Sequence, residues 1–88
     1  MENLSQLAQL RNLNLSFNRI TKIEGIQGLH MLEVLELGKN YISDTDALQS
    51  NVNKFAHLQE LYIYMNEIRS LPKNLKFPQI KSINANRN

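Results

Sequence analysis

Cysteine is absent from this chain of 88 residues. Its absence excludes a disulfide framework, a thiolate metal site and a cysteine nucleophile. Proteins that fold without disulfides are typical of reducing compartments. We therefore expect an intracellular protein, and specifically a cytoplasmic one.

Long apolar runs are missing as well. No segment approaches the roughly 20 apolar residues that a membrane-spanning helix needs. Residues 1–10 lack the basic start and the unbroken apolar stretch of a signal peptide. The sequence thus predicts folded chain from the first residues onward and no contact with a membrane.

Neither sign of charge is in large excess. Ten Lys and Arg residues accompany eight Asp and Glu residues, which gives a net charge of +2. From Glu67 onward, five basic residues accompany one acidic residue. The aromatic interleaving that would support stacked nucleobases is missing from this basic part. We therefore do not expect nucleic-acid binding, and RNA association is kept as an alternative only.

Groupings of catalytic or metal-binding residues are also lacking. His30 and His57 have no second histidine or cysteine at the spacing of metal ligands. Asp44 and Asp46 precede a predicted helix, where carboxylates favour the N-terminal dipole over a Ca²⁺ site. No phosphate loop or nucleophile elbow is present. We expect no catalytic residue, no metal, no cofactor and no enzymatic activity.

What the sequence does contain is a repeat. The spacing L-x-x-L-x-L-x-x-N-x-I begins at Leu10 and again at Leu32, a third copy begins at Leu58, and a fourth begins at Ile80. The starting positions are 22, 26 and 22 residues apart. A chain this short has a thin core, and one repeat cannot bury its leucines alone. Stacked repeats that share one core are therefore predicted.

The chain is thus predicted to form a single domain made of successive repeat units. The units are an opening turn (1–9), a repeat (10–31), a longer repeat (32–57), a repeat (58–79) and an incomplete repeat (80–88). The four extra residues of the longer repeat add about one helical turn and keep its apolar face inward. We predict a helix from Asp44 to His57, capped by Asp44, with Leu48, Val52 and Phe55 facing the core.

The other connecting segments favour tighter backbone. Apolar residues at Ile20, Ile23 and Ile26 step by three, which suits short 3₁₀-like turns. Pro72 and Pro78 oppose a long helix in the third repeat.

These motifs resemble the leucine-rich repeat family, in particular its intracellular subclass with 22-residue repeats. That subclass is typified by a regulatory subunit of a Ser/Thr protein phosphatase and by an axonemal dynein light chain. The resemblance covers nearly the whole chain. It implies an α/β solenoid, a right-handed coil with short parallel strands on the concave side and 3₁₀ or helical segments on the convex side. It identifies no partner.

Asparagine recurs where each predicted strand ends. Its side chain can serve both the amide and the carbonyl groups that a turning backbone leaves unpaired. We interpret the column as a structural ladder and not as a ligand site. Its members are Asn18, Asn40, Asn66 and Asn88.

Alternate residues of the strands point away from the core and form the concave face. Aromatic side chains on an exposed face are frequent binding anchors. The other interpretation is that the tyrosines only cover the strands, as β-formers do. Gly38 is expected to leave a hollow beside Tyr64. The predicted partner-binding residues are Val34, Glu36, Glu60, Tyr62, Tyr64 and Met65.

The predicted function is a scaffold that binds another protein through this face. No turn follows the unit around Ile80, Ile83 and Ala85 to cover it. Either the chain is a fragment of a longer protein, or another chain completes its end in an oligomer or larger complex. A structural subunit that docks through its C-terminal end is thus the main alternative, and RNA association is the second.

Overall fold

The computed structural model describes residues 9–26, 28–50, 54–71 and 75–88. Within them the chain forms four strands of three residues each and a short helix, α1 (Asp46–Ser50). The strands pair in parallel and in chain order. Their bounds are β1 (Asn12–Asn14), β2 (Val34–Glu36), β3 (Glu60–Tyr62) and β4 (Ser82–Asn84).

The strand register follows the repeat. Leu13 pairs with Leu35, Leu35 with Leu61, and Leu61 with Ile83, so one motif position forms one column across the sheet. Because side chains alternate between the two faces of a strand, this column points inward and its neighbours point outward. The predicted parallel sheet and its inward column are confirmed.

The core lies between the sheet and the connecting segments. Leu35 and Leu61 on the inner strands are fully buried, whereas Leu13 and Ile83 on the outer strands are half-buried. Inner repeats have a neighbour on each side, which explains the difference. The core is closed by residues from the connecting segments, among them Ile23, Ile26, Leu29, Leu48, Phe55 and Phe77.

The first connecting segment forms tight turns, as its spacing predicts. The amide of Leu29 donates to the carbonyl of Ile26 at 3.0 Å, and that of Leu32 donates to Leu29 at 3.3 Å. Each bond joins residues three apart, the pattern of a 3₁₀ turn.

The helix is shorter than predicted. The described helix runs over Asp46–Ser50, and residues 54–57 are not helical, although the prediction extended to His57. Val52 lies outside the described residues. The amide of Leu58 donates to the carbonyl of Phe55 at 3.2 Å, so this part closes as a tight turn. The cap is as predicted, since Asp44 Oδ1 accepts a hydrogen bond of 3.0 Å from the Asp46 amide. Within the described ranges, no helix is long and apolar enough to cross a bilayer.

Candidate functional site

The concave face carries different residues on its inner and outer strands. Glu36 on β2 lies directly beside Tyr62 on β3, and Val34 lies beside Glu60. These four side chains are half-buried, while Asn12 on β1 is exposed. The sheet therefore brings the predicted binding residues of the two inner strands together. We call Glu36, Glu60, Tyr62 and Tyr64 the glutamate–tyrosine cluster.

A hydrogen bond organises the cluster. Tyr62 and Glu60 lie two positions apart on β3 and point to the same side, and the Tyr62 hydroxyl donates to Glu60 Oε1. This bond raises the pKa of Tyr62 above its ordinary value, and burial and the negative charges of Glu60 and Glu36 raise it further. The phenol is therefore held protonated beside a carboxylate that can also accept hydrogen bonds from a partner.

Gly38 and Tyr64 fit against each other. A Cβ atom added at Gly38 would overlap the Tyr64 ring, so the ring lies directly on this glycine. The expected hollow beside Tyr64 is thus filled by the Tyr64 ring itself. Since glycine alone leaves this space, the pair fixes the ring position and half-buries it.

The carboxylates of the cluster have no cationic partner in the described part of the chain. The ion pair found there joins Arg11 and Glu33 at 4.0 Å, with the two side chains 68% and 39% exposed. Exposed pairs of this kind contribute little to stability. Glu36 and Glu60 therefore give the inner concave face an uncompensated negative charge.

Asparagines hold the turns that follow the strands. Asn40 is 4% exposed, and its Nδ2 donates to the carbonyls of Leu37 and Gly38 in its own turn and of Leu15 in the previous one. Its Oδ1 accepts a hydrogen bond of 3.1 Å from the Ile20 amide. One side chain thus satisfies the backbone of two successive repeats.

The same pattern recurs along the column. Asn66 Nδ2 donates to Leu37 and to two carbonyls of its own turn, and Asn66 Oδ1 accepts from the Ile42 amide at 3.0 Å. Asn88 donates back to Ile63 and accepts from the amides of Asn66 and Ile68. Asn18 is exposed and bonds only within its own turn in the described structure. These four residues form the asparagine ladder.

Comparison with known proteins agrees with this geometry. The family model described as leucine-rich repeats in two copies matches residues 8–50. Over 70 residues the sequence is 34% identical to the protein phosphatase 1 regulatory inhibitor subunit PPP1R7 homolog of Arabidopsis thaliana. This chain is a leucine-rich repeat protein. The predicted resemblance to the family and to a phosphatase regulatory subunit is confirmed.

Each similarity covers a larger share of this chain than of the protein it is compared with. The match to the plant protein covers 78% of this leucine-rich repeat chain but 20% of that relative, so the chain spans about a fifth of its length. Internalin C2 from Listeria monocytogenes superposes with a TM-score of 0.53 and 23% identity, over 91% of this chain and 43% of that one. The internalin similarity supports the solenoid fold alone.

Sequence reasoning missed a feature of the repeat turns. Phe17, Lys39, Met65 and Arg87, each directly before a ladder asparagine, have left-handed backbone with φ between 52 and 60°. Met65 therefore begins the turn after β3 instead of extending the concave strand, and it is 39% exposed. The left-handed backbone could have been predicted from position, because the residue before each ladder asparagine occupies the same place in every repeat and adopts the same conformation.

The main depressions among the described residues lie away from the cluster. One of about 790 Å³ is open to solvent and is lined by Ser43, Glu67, Ile68, Arg69 and Asn88. It shares no residue with the glutamate–tyrosine cluster. Among the described residues, no group of three or more His, Cys, Asp or Glu side chains could hold a metal ion.

Proposed function

We propose that this leucine-rich repeat protein is a non-catalytic interaction module that binds a protein partner through its concave face. The observation that carries the proposal is the glutamate–tyrosine cluster, which lies on the inner strands β2 and β3 and just beyond the end of β3. Tyrosines supply large contact areas with few rotatable bonds, and such residues dominate the energy of many interfaces. The flanking strands present small polar residues there, such as Asn12 and Ser82.

The cluster is held in place before a partner arrives. Tyr62 is tied to Glu60 by its hydroxyl, and the Tyr64 ring lies against Gly38. Side chains that are already ordered lose less conformational entropy on binding. This supports a role as a recognition surface over a role in which the tyrosines merely cover the strands.

The charge of the cluster suggests what it recognises. Glu36 and Glu60 are without a cation in the described structure, so a basic side chain of the partner would complement them. An apolar group beside that basic residue would contact the tyrosine rings, with Val34 and Met65 at the margin. Carboxylates at the centre of this face repel phosphates, which disfavours RNA here.

The similarity to a phosphatase regulator narrows the candidate partners. That relative is named as a regulatory inhibitor subunit of protein phosphatase 1. A catalytic subunit of a protein phosphatase is therefore our first candidate for the partner of this chain. An intracellular location fits this candidate and the absence of cysteine.

Affinity capture tests the assignment. The full chain, immobilised, is compared with the double variant Tyr62→Ala and Tyr64→Ala for the proteins each captures from a cell extract. We expect capture to fall at least about tenfold, since losing aromatic anchors usually costs more than 1 kcal/mol each. Purified protein phosphatase 1 catalytic subunit, added as a defined probe, tests the narrower candidate.

The matched control removes side chains from the same face but outside the cluster. Asn12→Ala with Ser82→Ala should leave capture close to that of the unmodified chain, and circular dichroism should show all three proteins folded. Equal capture by the tyrosine variant and the control would disprove the concave-face assignment. Failure of the phosphatase probe alone would reject the phosphatase and not the face.

A further inference from the structure

The four left-handed residues form a continuous row beside the concave face. The Phe17 amide donates to the Gly38 carbonyl at 3.0 Å, so Phe17 lies beside the residue that precedes Lys39. Lys39 is bonded in the same way to Tyr64, and Met65 to Asn86. Parallel neighbours are about 4.8 Å apart, which places the members side by side. We call Phe17, Lys39, Met65 and Arg87 the exit row.

The residue types in the exit row are not those that its backbone favours. Left-handed backbone brings Cβ close to the following carbonyl, and glycine and asparagine adopt this conformation most readily. Here the row has two large apolar and two cationic side chains instead. The backbone conformation therefore does not account for the residue types in the row.

The exit row is open to solvent. Phe17 is 70% exposed and Met65 is 39% exposed, and Lys39 and Arg87 are exposed as well. The described chain has one further large apolar side chain in this state, Tyr41, which lies two residues beyond Lys39. All three exposed apolar side chains thus lie within five residues after a strand.

The cations of the exit row lack acidic partners in the described ranges. The Lys39 ammonium lies 4.4 Å from the centroid of the Phe17 ring, and no carboxylate pairs with it or with Arg87. Lys39 therefore covers one face of the aromatic ring and keeps its charge available. The row alternates apolar and basic, and Glu67 is the nearest acid in sequence, two residues beyond Met65.

We propose that the exit row is a second docking surface, which binds an acidic peptide segment with apolar side chains beside its carboxylates. Lys39 and Arg87 are two strands apart, a separation of about 9 to 10 Å. A polyproline II segment repeats its facing side chains every three residues, at about 9.3 Å. The carboxylates are therefore expected three residues apart, facing Lys39 and Arg87. An apolar side chain between them would contact Met65, and another on the outer side of the carboxylate that faces Lys39 would contact Phe17.

An acidic peptide fits this surface better than a nucleic acid. Two cations are few for a polyanion, and Glu36 and Glu60 lie on the adjoining face. The Lys39 ammonium also occupies a face of the Phe17 ring on which a nucleobase would stack. The charge and the ring contact therefore favour a peptide over a nucleic acid as the occupant of the exit row.

The test uses synthetic peptides of about ten residues in a proline-rich polyproline II background. One carries two glutamates three positions apart, with one leucine between them and another immediately outside the pair. The control peptide carries glutamine in place of glutamate. The full chain should bind the acidic peptide more tightly than the glutamine peptide. Phe17→Asn and Lys39→Asn should each weaken binding of the acidic peptide roughly tenfold, as the loss of an interface anchor does.

The asparagine variants separate binding from folding. Asparagine accepts left-handed backbone, so Phe17→Asn and Lys39→Asn should have a melting temperature equal to or above that of the unmodified chain. Lys76→Asn removes the same charge from an exposed site on a connecting segment and should leave peptide binding unchanged. Equal affinity for the two peptides, equal effects of Lys39→Asn and Lys76→Asn, or tighter binding of a uridine oligonucleotide would each overturn the proposal.

Discussion

The asparagine ladder and the glutamate–tyrosine cluster lie a few residues apart in the same repeats. They differ in how much their residue types change from one repeat to the next. The ladder has one residue type at every step, whereas the outward positions of the strands change from repeat to repeat. Each turn leaves the same backbone groups unpaired, and asparagine satisfies them each time. Outward side chains meet no such shared requirement, so they are free to be specific.

The two regions also differ in what their polar groups contact. Asn40 is almost completely buried and its amide is used entirely within the fold. Glu36 and Glu60 are half-buried, and the described chain offers them no cation. The ladder therefore belongs to the scaffold, and the cluster has bonding capacity left for a partner.

Truncating an inward leucine should have the largest effect on the scaffold. Leu61 is fully buried between two neighbouring repeats. Leu61→Ala should lower the free energy of unfolding by about 2 to 5 kcal/mol, through lost burial and the cavity left behind. Urea denaturation measures this loss, and a change below that range would show that the stacked core can collapse around the site.

Removing a ladder asparagine should have the next largest effect, and its size should depend on position. Asn40→Ala leaves buried carbonyls and the Ile20 amide without their partner, which should cost about 1 to 3 kcal/mol. Asn18 is exposed and makes fewer bonds, so Asn18→Ala should cost less than about 1 kcal/mol. Equal losses in urea denaturation would contradict the role of burial.

The contact between Gly38 and Tyr64 links the backbone of one repeat to a side chain of the concave face. A methyl group in Gly38→Ala would overlap the tyrosine ring and displace it, at a cost of about 1 kcal/mol. Tyr64→Ala removes the obstacle, so the alanine at position 38 should cost almost nothing in that background. A double-mutant cycle measures this coupling, and additive losses would show that the ring does not depend on the glycine.

The repeated positions were the predictable part of the fold. Leu13, Leu35 and Asn40 recur at fixed spacing, and that spacing gives the strands, the inward columns and the asparagine bonds. The short extent of α1 was not predictable from its local pattern. Phe55, expected on the same helix, lies outside it, and its ring centroid is 6.2 Å from that of Phe77 in the next repeat. A contact between repeats cannot be predicted from the spacing of apolar residues by three and four within one segment.

The residues that share the concave face were predictable, and their geometry was not. Alternation along the strands placed Glu36, Glu60 and Tyr62 on one face. The position of the Tyr64 ring on Gly38 depends on a neighbouring repeat. Left-handed backbone at Phe17 had no marker in the residue type, since glycine and asparagine, the residues that signal it, are absent there. Its position directly before a ladder asparagine was the one indication.

The smallest predicted effect is a change in the titration of one tyrosine. The pKa of Tyr62 is raised chiefly by its hydrogen bond to Glu60, so Glu60→Gln should lower the pKa more than Glu36→Gln does. Protonated phenol is the form that donates the bond. The contact is therefore present at neutral pH and is lost as pH rises through the raised pKa. The pH dependence of the tyrosine ring carbon shifts in NMR spectra measures it, and equal effects of the two variants would contradict this order.

The most direct test of the central claim compares side-chain accessibility in the free chain and in its captured complex. Hydroxyl-radical footprinting reports the oxidation of individual tyrosines and histidines. The account predicts that Tyr62 and Tyr64 are protected in the complex while His30 and His57, which are exposed on connecting segments, are oxidised as in the free chain. Protection of the histidines with the two tyrosines still fully reactive would contradict binding through the concave face.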